Sequence, residues 1–220
     1  MRKFVPIAAA IATAASVVAL PAALAYAATP VHVLTIKKVG GPAVRANAVL
    51  KSGLAKGKTA VFSLGSEKLT CKAARFSATV RANPVKPGSA TESLTAQTFA
   101  KCTVNITGVV VKSIKVLDLP FKVKVSDATG FPVTVSGTSK TMPIKITVKV
   151  ALGTTKVACT YKASSIKGSA SNTGNTVTFS KQKFTKAAGG TLCPASANFS
   201  ATFGPVKDTS VTNSPKVFVN

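Results

Sequence analysis

The sequence contains no tryptophan, two tyrosines and one histidine among its 220 residues. Proteins that recognise bases use arginine forks and aromatic side chains that stack on them. This composition therefore argues against sequence-specific recognition of nucleic acid. The one histidine, His32, lies within five residues of the expected mature N-terminus, and no G-x-S-x-G motif accompanies it. No C-x-x-C pair is present to hold zinc. We expect neither a Ser–His nucleophile nor a metal or other cofactor.

Acidic residues are also scarce, which bears on catalysis. Glycoside hydrolysis needs two carboxyl groups that flank one bond, and no local pair with matched spacing occurs here. The five acidic residues are Glu67, Glu92, Asp118, Asp127 and Asp208. The fold remains able to bring distant carboxyl groups together, but the expectation from the sequence is that the protein is not an enzyme.

The scarcity of acidic residues leaves 29 lysines and arginines almost unopposed, for a formal net charge of +24. Nearly all of this charge is lysine, which acts as a point charge and does not form the bidentate contacts of arginine. A partner would therefore be a polyanion, such as an anionic cell-wall polymer, bound without specificity and in a salt-sensitive way. The alternative is a solvated lysine surface that keeps β-edges apart.

The first 27 residues have the pattern of a secretory signal peptide. Arg2 and Lys3 precede an apolar, alanine-rich stretch, and Ala25-Tyr26-Ala27 provides a small-x-small cleavage site. A retained N-terminal membrane anchor is the alternative. Beyond residue 27 no apolar stretch of ~20 residues follows, so we expect no transmembrane segment in the mature protein. The mature chain, with a net charge of +22, is expected to be secreted, with the cell wall as a candidate site of association.

One short pattern occurs twice, 88 positions apart. Residues 64–71 have the sequence LGSEKLTC, and residues 152–159 have the sequence LGTTKVAC. Each copy is followed by an Asn, a Gln-x-Phe segment and a second cysteine, in the same order. The Gln-x-Phe segments are Gln97-x-Phe99 and Gln182-x-Phe184. An ordered set of matches favours internal duplication, and two copies suit tandem domains or one sandwich with pseudo-twofold halves.

Four cysteines in an exported chain indicate a disulfide framework, for which three pairings exist. If the two halves are copies, each closes its own bond, which predicts Cys71–Cys102 and Cys159–Cys193. A zinc site formed by the same cysteines is the alternative.

Short alternating or β-branched segments, separated by turn residues, predict an all-β fold. The segments are residues 31–36, 121–125, 132–135, 144–150 and 176–179. Their number and spacing favour an Ig-like β-sandwich, with two tandem or pseudo-symmetric halves that each contain one disulfide. We expect the first half at residues 28–137 and the second at 138–220.

Two of these segments, FKVKV and IKITVKV, alternate lysine with apolar residues. On a strand this alternation places the lysines on one face. Lys122, Lys124, Lys145 and Lys149 are therefore the candidate polyanion-binding residues. The alternative, again, is a solvated face that discourages edge-to-edge pairing.

The signal peptide, the paired cysteines and stretches such as SNTGNTVTFSKQKF resemble small secreted actinobacterial β-sandwich proteins with no assigned activity. The resemblance implies an exported, disulfide-bonded β-sandwich and transfers no functional residue. Three functions stay open. The first is a secreted, cationic protein held to anionic polymers, and the second is a binding module for a hydrophobic small molecule or partner protein. The third, a membrane-active toxin, lacks an amphipathic helix or aromatic belt. The oligomeric state is not predicted.

Overall fold

A computed structural model describes residues 30–220 of the chain, so the expected signal peptide at residues 1–27 lies outside the described residues. Residues 30–220 form an all-β structure without helices. The strands are β1 (Leu34–Ile36), β2 (Val49–Gly53), β3 (Ala60–Leu64), β4 (Glu67–Ala82), β5 (Ser89–Val104), β6 (Val109–Leu117), β7 (Phe121–Ser126), β8 (Pro132–Ser136), β9 (Ile144–Leu152), β10 (Thr155–Ala163), β11 (Ser165–Ser171), β12 (Thr176–Ala188), β13 (Ser196–Phe203), β14 (Lys207–Asp208) and β15 (Val217–Val219).

Eight of these strands form a closed sheet. The order is β11-β8-β7-β5-β4-β3-β13-β12, and antiparallel pairing of β12 with β11 completes the ring. The all-β class expected from the sequence is confirmed. The closed sheet does not by itself show an Ig-like sandwich, so that part of the expectation stays a prediction.

The remaining strands extend this sheet. β10, β9 and β6 continue from β12, while β2 pairs with β4 and β14, and β1 pairs separately with β15. Long strands serve more than one neighbour along their length. β4, for example, pairs with β3 through Glu67–Cys71 and with β2 through Arg75–Thr79. A bulge between Phe179 and Gln182 shifts the register of the β12–β13 pairing, and the extra residue bends β12 at this point.

Strands from both sides of residue 137 pair in the closed sheet. β3 pairs with β13, and β8 pairs with β11. The division into halves at residues 28–137 and 138–220 stays a prediction.

The repeated octapeptides have the same local structure. LGSEKLTC ends β3, turns at Gly65 and enters β4, and LGTTKVAC ends β9, turns at Gly153 and enters β10. Both glycines have positive φ, 73° and 57°, a conformation in which a side chain would be strained. The turn residues thus explain why glycine occupies the same place in both copies.

Two disulfides join the four cysteines as the comparison of the two copies predicts. Cys71 on β4 and Cys102 on β5 face each other across the ladder, and Cys159 on β10 bonds to Cys193 in the loop after β12. Disulfides persist in oxidising compartments, so the framework agrees with an extracellular location.

An aromatic cluster occupies the middle of the interior. The ring of Phe199 lies 5.0 Å from Phe62, 6.0 Å from Phe99 and 6.5 Å from Phe179, measured between centroids. Buried aliphatic residues from the inward faces of the strands belong to the same hydrophobic core. Two gaps in this packing form the cavities described next.

Candidate functional site

The larger of the two cavities, called here the Tyr161 cavity, has a volume of about 270 Å³. Its walls are mostly apolar side chains from β3, β4, β9, β10 and β13, such as Phe62, Leu69, Val148 and Ala197. Alternation along β9 places Ile146, Val148 and Val150 on the wall while Lys145 and Lys149 face outward.

One polar group is buried in this apolar wall. Tyr161 is buried, and within the described residues its hydroxyl oxygen has no hydrogen-bond partner. Burial raises the pKa of the Tyr161 phenol above its usual value, because a low-dielectric environment disfavours the charged form. An unpartnered buried hydroxyl costs stability, and it can bond to a molecule inside the cavity.

Exposed apolar side chains line the Tyr161 cavity as well. Leu192 is 71 % exposed, and Leu152 and Ile106 are also exposed while contributing to the same wall. Leu192 precedes Cys193, so the Cys159–Cys193 disulfide anchors the loop that carries it. Exposed apolar side chains therefore continue directly into the apolar lining of the Tyr161 cavity.

The second cavity, called here the Glu92 cavity, has a volume of about 120 Å³ and shares Ile146 and Phe184 with the first. Most of its wall is apolar and includes Ala78 of β4, Leu94 of β5 and Val123 of β7. Glu92 lies among these residues and is 8 % exposed. Within the described residues no hydrogen bond or ion pair to a protein group engages its carboxyl.

Burial raises the pKa of the Glu92 carboxyl from 4.5 to about 7. Transfer of a carboxylate from water into an apolar environment is unfavourable, and no cation offsets this cost. None of the other residues that line the Glu92 cavity titrates. Among the described residues, Glu92 is therefore the only group in that wall whose charge changes with pH.

A second acceptor faces the same cavity. Asn175 is buried, and its Nδ2 donates a hydrogen bond to the carbonyl oxygen of Val217. That bond fixes the orientation of the Asn175 side-chain amide, since the carbonyl oxygen of Val217 only accepts and must face the nitrogen. The remaining Asn175 Oδ1 is buried and has no hydrogen-bond partner among residues 30–220. Ionised Glu92 and Asn175 Oδ1 both call for a hydrogen-bond donor.

The structure places the four candidate lysines on two separate strands. Lys122 and Lys124 are exposed on β7, whose neighbours are β5 and β8. Lys145 and Lys149 lie on β9, whose neighbours are β6 and β10. The two pairs therefore do not form one four-lysine cluster in the sheet.

Neighbouring strands add lysines to the β9 pair. Lys162 of β10 lies opposite Lys145, and Lys115 of β6 lies opposite Thr147. We call Lys115, Lys145, Lys149 and Lys162 the lysine face. Lys145 Nζ contacts Asp118 Oδ2 at 2.9 Å. Like charges opposite each other destabilise a sheet, and one exposed aspartate offsets part of this repulsion.

Sequence reasoning missed several of these residues for identifiable reasons. Glu92 occupies the inward register of Ala90-x-Glu92-x-Leu94, so alternation on β5 contained a usable indication. Lys115 and Lys162 join the lysine face through strand pairing, which one strand does not reveal. Tyr161 lies two residues after Cys159, but no pattern indicates that its hydroxyl is unpartnered.

Two structural features are absent from residues 30–220, one related to metal binding and one to membrane crossing. No group of three His, Cys, Asp or Glu side chains in this range is placed to hold a metal ion. The same range contains no helix with the length and apolarity needed to cross a membrane.

Comparison with known proteins supplies no assignment: no family model, no curated protein and no solved structure matches the chain.

Proposed function

We propose that this protein is a secreted, non-enzymatic binding module for a hydrophobic small molecule. The observation that carries this proposal is the Tyr161 cavity, an apolar space of about 270 Å³ whose wall includes exposed leucines. Ligand sites are typically apolar cavities with a few polar groups that orient the ligand. Tyr161 supplies that polar group here.

The expected ligand is apolar over most of its surface and carries one hydrogen-bonding group for the Tyr161 hydroxyl. The apolar body gains free energy as it leaves water. Because the hydroxyl has no protein partner, a bond to the ligand replaces a bond that folding removed. A strongly anionic probe is unsuitable for testing this idea, since the surface lysines would bind it elsewhere.

The neutral dye N-phenyl-1-naphthylamine tests the proposal by its fluorescence on titration. We expect saturable binding with one site per chain. Val148→Phe fills the cavity and should abolish this site, whereas Thr147→Phe, on the outward face of the same strand, should leave it unchanged. Binding that is non-saturable, or equal in both variants, contradicts the proposal.

A second candidate function is adhesion to an anionic polymer through the lysine face. Three adjacent strands present four lysines there, and Lys145 faces Lys162 directly. A surface that keeps like charges together is suited to a polyanion, which releases counterions when it binds. Cell-wall association of the secreted protein belongs to this candidate.

Retention on immobilised heparin, used as a model polyanion, tests the second candidate. The triple variant Lys115→Gln, Lys149→Gln, Lys162→Gln should elute at lower salt than a triple variant at Lys51, Lys56 and Lys58. Each lost contact should lower the slope of log K against log salt by about 1. Equal elution of the two triple variants excludes a localised site and favours a solvated lysine surface.

We further propose that the chain arose by duplication of an Ig-like unit. The support is local: both octapeptides form the same glycine turn, and each leads to a cysteine that forms a disulfide. An experimental structure in which the strands following both turns superpose in the same order would support it, and a mismatch of strand order would contradict it.

A further inference from the structure

The Glu92 cavity is a site distinct from the Tyr161 cavity. It has its own polar groups, and the two cavities share two wall residues, Ile146 and Phe184. A buried carboxyl group normally has a cation, a metal or several hydrogen-bond donors beside it. Glu92 has none of these among residues 30–220, although β5 directs it into an apolar wall.

The missing partner must be a hydrogen-bond donor, and a cationic donor is best suited to the role. Two groups in the wall can accept hydrogen bonds from a ligand. Asn175 Oδ1 is buried without a partner among residues 30–220, and the Glu92 carboxylate takes part in no hydrogen bond or ion pair within the same range. An ammonium group has three N–H donors and one positive charge, so it suits the Glu92 carboxylate and supplies the kind of donor that Asn175 Oδ1 also lacks. The remaining wall is apolar, which calls for a hydrocarbon body on the same molecule.

The volume limits the size of that body. An apolar cavity of about 150 Å³ takes up benzene in another protein, and the Glu92 cavity measures about 120 Å³. A ligand of roughly five heavy atoms is therefore the appropriate scale. Branched four-carbon amines fit this description.

We propose that the Glu92 cavity binds a small aliphatic primary amine, with its ammonium group against the Glu92 carboxylate and its hydrocarbon body against Leu94, Phe121 and Val123. Each of these residues lines the cavity. Lys122 and Lys124 flank Val123, the ladder partner of Glu92, but alternation along β7 places both lysines on the outward face, away from the cavity wall.

Isobutylamine is the probe, and its binding to the full mature chain at pH 8 is monitored by ¹⁵N NMR titration. Saturable shifts should map to residues of the Glu92 cavity. Glu92→Gln keeps the shape of the side chain, and it should lower the amine affinity at least tenfold. Isobutanol, an uncharged molecule of the same shape, should bind both proteins weakly and equally.

Acidity offers a second measurement that does not depend on a variant. Isobutylamine stays protonated throughout pH 5–8, while Glu92 gains a proton as the pH falls through about 7. No other described residue that lines this cavity, on any of its strands, has a titratable side chain. The amine affinity should therefore fall between pH 8 and pH 5.5, and isobutanol should show no such change.

The outcomes separate this proposal from the proposed function. Val148→Phe lies outside the Glu92 cavity, so amine binding should persist in it even when the dye no longer binds. No saturable amine binding, equal affinity in wild type and Glu92→Gln, or shifts that map elsewhere would each overturn the amine site. Absence of dye binding to the wild type alone would contradict the proposed function and would not affect the proposal of an amine site.

Discussion

Glu92 and Val123 are partners in the antiparallel β5–β7 ladder, and both line the same apolar cavity. A carboxyl group thus occupies a position where the neighbouring strand places valine. This inward-facing carboxyl group gives the wall of the Glu92 cavity a titratable group, and it has a direct consequence for stability.

Replacing Glu92 should stabilise the protein at neutral and alkaline pH. The pKa of the Glu92 carboxyl is about 7 in the folded state, against the ordinary value of 4.5 that applies to the unfolded chain. Well below pH 4.5 the carboxyl is protonated in both states, so it makes no pH-dependent contribution to stability. As the pH rises from 4.5 through 7, the unfolded chain releases its proton first, so stability falls, by about 3 kcal/mol in total.

Urea unfolding of Glu92→Gln and wild type at pH 4 and pH 8 measures this effect. The difference in free energy of unfolding between Glu92→Gln and wild type should be about 2–3 kcal/mol more favourable to the variant at pH 8 than at pH 4. Glu67→Gln removes the same charge at a half-exposed position and controls for net charge. A pH-independent difference between Glu92→Gln and wild type would show that Glu92 is not buried as described.

The two disulfides should contribute similarly to stability and differently to binding. They close segments with sequence separations of 31 and 34 residues, and loops of this length each contribute about 4 kcal/mol in the chain-entropy model. Paired Cys→Ser variants of either bond should therefore unfold at comparable, lower urea concentrations.

Dye affinity distinguishes the two bonds. Removing Cys159–Cys193 frees the loop with Leu192 beside the Tyr161 cavity, so the affinity for N-phenyl-1-naphthylamine should fall at least threefold. Removing Cys71–Cys102 should leave it within twofold, measured where both variants are folded. Equal losses would mean that the Leu192 loop does not form the entrance.

Leu192→Ser should weaken dye binding without destabilising the protein. Leu192 is largely exposed, so the change buries no polar group and leaves no cavity. Leu117→Ser, at an exposed leucine away from the Tyr161 cavity, is the matched control. Dye titration together with thermal unfolding tests the pair, and similar affinities in both variants would place the entrance elsewhere.

Phe199→Ala should be among the most destabilising core substitutions. Phe199 is buried and contacts three other phenylalanine rings, and a buried Phe→Ala change typically costs about 3–5 kcal/mol. Phe218→Ala, at a half-buried ring on β15, should cost clearly less. Urea unfolding at one pH measures both, and comparable losses would contradict the central role of the cluster.

Local patterns were sufficient for the disulfides and for the strand faces. The ordered duplication of LGSEKLTC and LGTTKVAC predicted both pairings, because each copy contains its own two cysteines. Alternation along FKVKV and IKITVKV predicted lysines on one face and apolar residues on the other, and β7 and β9 have this arrangement, with Lys145 half-buried. These features depend on residues close together in the chain.

The lysine face and the cavities needed information that no single strand contains. Lys115, Lys145 and Lys162 come together because β6, β9 and β10 pair in a particular register. The alternation Ala90-x-Glu92-x-Leu94 shows that Glu92 shares a face with apolar residues. It does not show whether that face is covered, or whether an opposite strand supplies a cation.

The sequence by itself therefore determined the all-β class, the disulfide pairing and the direction of side chains along each strand, since strand periodicity and turn residues act locally. The tertiary structure alone decided which strands close the sheet, where packing leaves space and which buried polar groups lack partners. Those properties depend on contacts between residues far apart in the chain. Glu92 and Tyr161 acquire their chemistry from residues that surround them in space.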